Sequence, residues 1–211
     1  MTIRHHLSDP LLIAYAAGNL PEAFGLVVAT HVSMCDECRA RLGAFEAVGG
    51  AVLEIDTAPM PESSLDACLA RLGTPIPAPR VTRRKGILPT PLADFVGGDL
   101  ASVKWKSLGL GVRQAILPTC KGASARLLYI PAGQSVPDHG HRGLELTLVL
   151  QGAFRDQTNR FGPGDLEIAT EADQHTPIAE AGADCICLAA TDAPLRFSGL
   201  IPRLLQPLFR I

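Results

Sequence analysis

The chain has 211 residues, 47% of them apolar, and a formal net charge of −2. That length suits one large domain or two small ones, and the apolar content leaves no reason to invoke global disorder. The near-neutral balance argues against a nucleic-acid binder that works through whole-protein charge.

The N-terminal MTIRHHLSDPLL lacks an apolar core of signal-peptide length, and no later apolar run approaches the ~18 residues of a membrane span. A cytoplasmic location without membrane attachment is therefore expected. In that reducing compartment the six cysteines read as metal ligands or buried thiols before they read as disulfides. Charge is unevenly spread. Residues 1–73 carry four basic and nine acidic side chains, residues 74–90 carry four basic and none acidic, and the remainder carries 11 and 12. An acidic N-terminal module suits a basic partner, although such a face also serves solubility alone.

In HLSDPLLIAYAAGNLP, Ser8 is placed to cap a helix, Pro10 falls in its first turn, and Gly18-Asn19 ends it. Pro21-Glu22 opens a second helix running to Met34. Asp36 begins a third, where Leu42, Phe45, Val48, Val52 and Leu53 form an apolar stripe near the 3.6-residue period. Ser63-Ser64 precedes a short fourth helix, LDACLARL, expected to end at Gly73. Four short helices make a thin core, and modules this small often need a staple. Residues 74–91, TPIPAPRVTRRKGILPTP, hold five prolines and the cluster Arg80, Arg83, Arg84 and Lys85. This segment is expected to be an extended interdomain linker with a solvated basic face. From residue 92, short β-rich runs (VKWKSL, VRQAIL, ARLLYIPAG, LELTLVLQGAF, DLEIAT, ADCICLAAT) alternate with Gly and Pro turns. They indicate an antiparallel sandwich or barrel. No crossover helix is expected there, which disfavours a parallel α/β sheet. The fold class is thus α+β as separate domains: an all-α module over 1–73, a linker over 74–91 and an all-β domain over 92–211.

The stretch HVSMCDEC places His31, Cys35 and Cys38 at i, i+4 and i+7, so one helix would stack them along a single face. A structural zinc site wants four N or S ligands in a tetrahedron. The fourth must come from His5 or His6 ahead of the first helix, with Cys68 the weaker candidate. Two buried cysteines beside a chance histidine is the plain alternative. A thioredoxin-type redox pair is another, but it wants its CxxC at a helix start after a strand. An H-x3-C-x2-C motif with a histidine near the start of a helical module resembles the zinc-binding anti-sigma factors. Their helical domain clasps an extracytoplasmic-function sigma factor and blocks its contacts with core RNA polymerase. The resemblance covers about residues 1–73. It matches His31, Cys35 and Cys38 directly, and His6 is chosen over His5 as the fourth zinc ligand.

The β-rich half contains GQSVPDHGHRGLELTLVLQG, in which Gly133, His139, His141, Glu145 and Gly152 follow the pattern G-x5-H-x-H-x3-E-x6-G. Histidines at i and i+2 on a strand share a face, with Glu145 two pleats beyond His141. Converging imidazoles and a carboxylate suit zinc, iron, manganese or nickel. The pattern resembles the first motif of the cupins, small β-barrels. Their second motif is represented by Gly164-Asp165 and by His175, which the resemblance makes the fourth ligand. Thr170 and Ala172 stand where that motif has proline and glycine. Cys185 and Cys187 share one side of a later strand. They read as two small buried residues, or as a thiol pair near the metal if that side is the barrel interior. Cys120 has no evident partner.

A helical anti-sigma module joined to a cupin resembles the ChrR-type anti-sigma factors over the whole chain. The resemblance implies a non-enzymatic regulator that inhibits an extracytoplasmic-function sigma factor, makes no direct contact with nucleic acid, and responds to oxidative stress, including singlet oxygen. It also implies Zn2+ in the N-terminal site and Zn2+ or another divalent metal in the cupin. The alternatives are a cupin metalloenzyme, such as a dioxygenase or isomerase, with a helical appendage, and a two-site zinc store. On the regulator reading, Leu42, Phe45, Val48, Val52 and Leu65 wrap the sigma factor. The first zinc then holds the binding fold, and the cupin metal governs release across a flexible link.

Overall fold

The computed structural model describes residues 2–72 and 86–197. Four helices come first: α1 (Asp9–Ala16), α2 (Glu22–Met34), α3 (Asp36–Ile55) and α4 (Ser64–Arg71). Pro10 sits in the first turn of α1, where a missing amide costs nothing. Ser8 occupies the N-cap in extended conformation but makes no side-chain cap bond, so the expected capping role is absent. Ser63 likewise caps α4 by position only.

The expected single helical face through His31, Cys35 and Cys38 is broken at its middle residue. Cys35 is extended (φ −114°, ψ 107°), ending α2 and serving as N-cap of α3, with its Sγ accepting the Cys38 amide at 3.5 Å. Two helices therefore meet at a corner, and the thiol lies inside it.

The apolar stripe on α3 is only partly core. Leu42 is buried and Phe45 half-buried, but Val48, Val52 and Leu53 are 63%, 59% and 77% exposed. On α4 no residue is buried, and Leu65, Leu69 and Leu72 face solvent. The basic linker residues 74–85 and the expected helix end at Gly73 lie outside the described residues.

A fifth helix, α5 (Thr90–Val96), crosses the boundary expected between linker and barrel. Pro91 hid it from the sequence, yet proline is tolerated in a first turn because no intrahelical amide is needed there. Gly97 closes the helix at φ +77°, a left-handed cap. Just before α5, the Asp99 carboxylate holds the Ile87 and Leu88 amides.

The strands are β1 (Lys106–Gly109), β2 (Val112–Leu117), β3 (Ser124–Ile130), β4 (His139–Gly140), β5 (Glu145–Gln151) and β6 (Phe154–Arg155). They continue with β7 (Arg160–Phe161), β8 (Leu166–Ala169), β9 (Gln174–His175), β10 (Ile178–Ala179), β11 (Cys185–Thr191) and β12 (Arg196–Phe197). The main sheet runs β1-β2-β3-β11-β5-β8, and β10-β6-β7 and β12-β4-β9 form two smaller ones. Every pairing is antiparallel, as short hairpin-linked strands favour.

The main sheet has two apolar faces, which explains why β5 and β11 are buried at every position but the last. Leu127, Leu146, Leu148 and Leu188 join one continuous core with Leu12, Phe24 and Val27 from the helices and Leu92 from α5. The other face, with Val149, Phe154, Phe161 and Cys187, lines the barrel interior. The helical module thus shares a core with the barrel instead of hanging from it on a free tether. Gly152, the last position of the motif, has φ +68°, and a Cβ there would come within 2.5 Å of the Asp184 carbonyl oxygen. Only glycine fits. No described helix is long and apolar enough to cross a membrane.

Candidate metal centres

The first cluster brings together His6, His31, Cys35 and Cys38, each offering an atom within 4.8 Å of the others. His6 is placed by the extended segment ahead of α1, His31 by the last turn of α2, and both thiols by the α2–α3 corner. His6 Nδ1 lies 3.3 Å from Cys35 Sγ and 3.6 Å from Cys38 Sγ. Its Nε2 is 3.4 Å from Glu37 Oε2, a carboxylate placed to orient the ring. Arg41 fastens the corner from outside. Its Nη1 donates to the Leu7 carbonyl at 3.0 Å, and it pairs with Asp9.

His5 goes elsewhere, against the Asp165 carboxylate and the Phe161 ring. Cys68 sits exposed on α4 and is no part of the cluster.

The chemistry of this cluster fits a soft divalent ion. Both ring nitrogens of His31 are buried without a hydrogen-bond partner. Such orphans cost ~1–3 kcal/mol each unless a ligand takes one. Burial, then the neighbouring His6, lowers the His31 pKa to about 4, so the imidazole is neutral at physiological pH, as metal binding needs. Burial pushes the Cys38 thiol up to about 11; an ion binding there displaces its proton.

The second cluster joins His139, His141 and His175. His139 on β4 pairs directly opposite His175 on β9. His175 Nε2 is 3.2 Å from His139 Nε2 and 3.3 Å from His141 Nε2. Hydrogen bonds fix two tautomers. His139 Nδ1 donates to the Pro137 carbonyl at 2.8 Å and His175 Nδ1 donates to Glu167 Oε1 at 2.9 Å. Each bond leaves Nε2 aimed inward. Burial lowers the pKa of His139 and of His141. For His175 burial also pulls downward, but the Glu167 hydrogen bond and the surrounding carboxylates outweigh it and the pKa is raised.

Glu145 stands beside this group and not among the three Nε2 atoms. Its Oε2 is 3.7 Å from His141 Nδ1, and its Oε1 accepts the Thr147 hydroxyl at 3.1 Å. It begins β5 on the cavity wall, whereas the histidines converge from β4, β9 and the turn after β4.

The sequence reading missed Glu167, which orients His175, and Asp156, whose Oδ2 is 3.8 Å from His175 Nδ1. Glu167 had a signal: a charge alternating inward with Leu166 and Ile168 in DLEIAT. Thr170 and Ala172, which replace the expected proline and glycine, still make a tight turn. The Thr170 amide and hydroxyl both donate to Asp173 Oδ2, at 2.8 and 2.9 Å. Cys185 and Cys187 face the barrel interior with their sulfurs 3.5 Å apart. The hydrogen bond from Cys185, then burial, raises the Cys187 pKa well above its usual value, so it stays a thiol. Cys120 tethers the start of α2, its amide donating to Glu22 Oε2 at 2.6 Å.

One segment links the clusters. The amides of Arg4 and His5 donate to Asp165 Oδ1 at 2.6 and 2.9 Å, and the Leu166 amide donates to the His5 carbonyl at 3.2 Å. Residue 6 is in the first cluster, and residue 167, next on β8, holds the second.

Comparison with known proteins places this arrangement. A family model described as the ChrR cupin-like domain matches residues 94–193. The anti-sigma-E factor ChrR of Cereibacter sphaeroides is 65% identical over 214 aligned positions spanning the whole of both chains. A crystal structure of Rhodobacter sphaeroides SigE in complex with the anti-sigma ChrR matches at 64% identity with a TM-score of 0.81. That match covers 90% of this chain and 100% of that one.

Proposed function

Because this chain belongs to the ChrR family of anti-sigma factors, we propose that its helical module binds and inhibits an extracytoplasmic-function sigma factor in the cytoplasm, and that its barrel senses the stress that releases it. An oxidant such as singlet oxygen is the class of signal expected. Membership in a family of regulators favours this reading over a metalloenzyme.

One observation carries it. Val48, Val52, Leu53 and Ile55 on α3, with Leu65 and Leu69 on α4 and Leu72 at its C-cap, stay exposed and make up most of the large apolar side chains left exposed among the described residues. Exposed apolar side chains concentrated on two successive helices mark a protein interface, and amphipathic helices suit helix-in-groove recognition.

The metal roles follow. A His2Cys2 set suits zinc, and His6, His31, Cys35 and Cys38 would hold it. Bound there, the ion supplies a redox-inert cross-link between the N-terminal segment and the α2–α3 corner. His139, His141, His175 and Glu145 would hold zinc or another divalent ion in the barrel. The units proposed are a grip over 1–73, a linker over 74–91 and a sensor over 92–211. Release is proposed to run along β8, through Glu167 at His175 and through Asp165 at the segment carrying His6.

The test is co-expression of the tagged full chain with an extracytoplasmic-function sigma factor. The wild-type chain should retain it at one to one, and Val52→Glu, on a solvent-facing site, should lose it while keeping its helical content. Failure of the folded wild-type chain to retain any such factor overturns the proposal.

A further inference from the structure

The main sheet has one edge that the described residues leave half open. β8 stands last in the order β1-β2-β3-β11-β5-β8 and pairs with β5 alone. On its outer side the Leu166 amide donates to the His5 carbonyl. Backbone groups alternate along an antiparallel strand, so the amide and carbonyl of Ile168, two residues on, face the same way. No described residue pairs with them. Ile168 lines a cleft of about 840 Å³ on the outside of the barrel, walled by β8 and by Gln174 and His175 of β9. An open edge of this kind invites pairing with another strand.

We propose that the chain completes this edge itself: its C-terminal residues 198–211 lie in the cleft, and 203–206 add to β8 as a further strand. The inference goes beyond sigma-factor binding and does not rest on it.

Three observations single out this occupant. The first is composition. Seven of the fourteen side chains in SGLIPRLLQPLFRI are apolar, whereas segments that stay free in water are poor in such residues. Pro202 and Pro207 bracket RLLQ, and proline, lacking an amide, ends a strand. The stretch between them is four residues, the length of β8.

The second is charge. Four carboxylates line the cleft (Asp138, Asp156, Glu167 and Asp173) against one guanidinium, that of Arg4, giving −3 with the histidines neutral. Residues 198–211 carry Arg203 and Arg210 and no acidic side chain. Opposite potentials of this kind draw the two together and fix their register.

The third is reach. The last described strand, β12, belongs to the sheet β12-β4-β9. The tail therefore departs two strand spacings, ~10 Å, from the cleft wall at β9. Fourteen residues span up to ~46 Å when extended. Main-chain hydrogen bonds along a sheet edge supply the affinity in strand addition, and a tethered strand pairs at high effective concentration.

The experiment is amide hydrogen exchange on the metal-replete full chain, on a chain ending at Phe197, and on the full-length double variant Arg203→Glu/Arg210→Glu. The Ile168 amide should be protected by about a hundredfold or more in the full chain. In the chain ending at Phe197 it should exchange about tenfold faster, the equivalent of one lost backbone hydrogen bond, and the synthetic peptide 198–211 should restore protection. The charge reversal keeps length and prolines and should speed exchange by about fivefold. Leu188, central in the main sheet, should stay equally protected throughout. An Ile168 amide that is unprotected in the full chain, or equally protected in the chain ending at Phe197, overturns the inference. So does protection that rises with protein concentration alongside a dimer in sedimentation, because a second copy then covers the edge. If the shortened chain fails to fold, the charge reversal decides alone, and unchanged Ile168 exchange there overturns the inference.

Discussion

Asp165 fastens the segment ahead of α1 to the barrel, and its removal is the most informative single change. Its carboxylate accepts the amides of Arg4, His5 and Gly162 at 2.6, 2.9 and 2.8 Å. The first two bonds cross between the modules. Hydrogen bonds to a charged group contribute ~1.5–3 kcal/mol each, so at the lower figure the crossing pair holds the segment by about 3 kcal/mol. Asp165→Ala should therefore raise the detached fraction of residues 3–6 by about a hundredfold. Amide hydrogen exchange on the metal-loaded full chain reads this directly, as protection at His5 and Leu166 falling by about two orders of magnitude. Zinc affinity at the first cluster should fall with it, because His6 leaves with the segment. Asp165→Asn keeps one acceptor oxygen and should lose less. Burial pulls the Asp165 carboxyl upward, but the amides of Arg4, Gly162 and His5 outweigh it and hold the pKa below the usual value. A depressed folded pKa means stabilisation that is complete above the unfolded value, about 3.9, and lost as pH falls through the folded one. Protection should thus be flat from about pH 5 to 8 and collapse only in stronger acid. Unchanged exchange in Asp165→Ala would refute the fastening role.

Three further changes test other parts of the account. Cys38→Ala should remove one bound metal equivalent and melt the helical module, seen as lost helical circular dichroism and lost sigma retention, because metal binding and folding are linked in so small a unit. Glu167→Gln should weaken metal binding in the barrel by about 10–100-fold, measured by competition with a chromogenic chelator, while the first cluster keeps its ion. Gly152→Ala forces a Cβ to 2.5 Å from a backbone oxygen at φ +68°. A cost of ~1–3 kcal/mol should lower the melting temperature by several degrees on scanning calorimetry.

Both clusters were legible where ligands lie close in sequence. His31, Cys35 and Cys38 announce themselves by spacing, as do His139 and His141. The break at Cys35 was legible as well, since the second helix ends at Met34 and the third begins at Asp36. What spacing alone misses is that the three residues then cannot share one helical face. His5 and His6 are indistinguishable in sequence. They part only when the strand edge at Asp165 takes one and the thiols take the other. Glu167 was missed because spacing does not pair it with His175, which lies eight residues later on a strand of a different sheet. The stripe on α3 was read correctly as apolar, but periodicity alone does not say whether a face meets the chain's own core or a partner. Leu42 is buried in the chain's own core, and Val52 is left facing solvent. The packing of the helices onto the sheet also escaped the sequence, since a near-continuous apolar β5 signals burial on both faces without naming what covers it.

The most direct test of the central claim, that one ion staples the helical grip and another sits in the barrel, is elemental analysis of the metal-replete full chain beside Cys35→Ser and His141→Ala. Two equivalents in the wild type and one in each variant are predicted, with sigma retention lost only in Cys35→Ser. A wild-type chain that carries no metal yet still holds its sigma factor would contradict it.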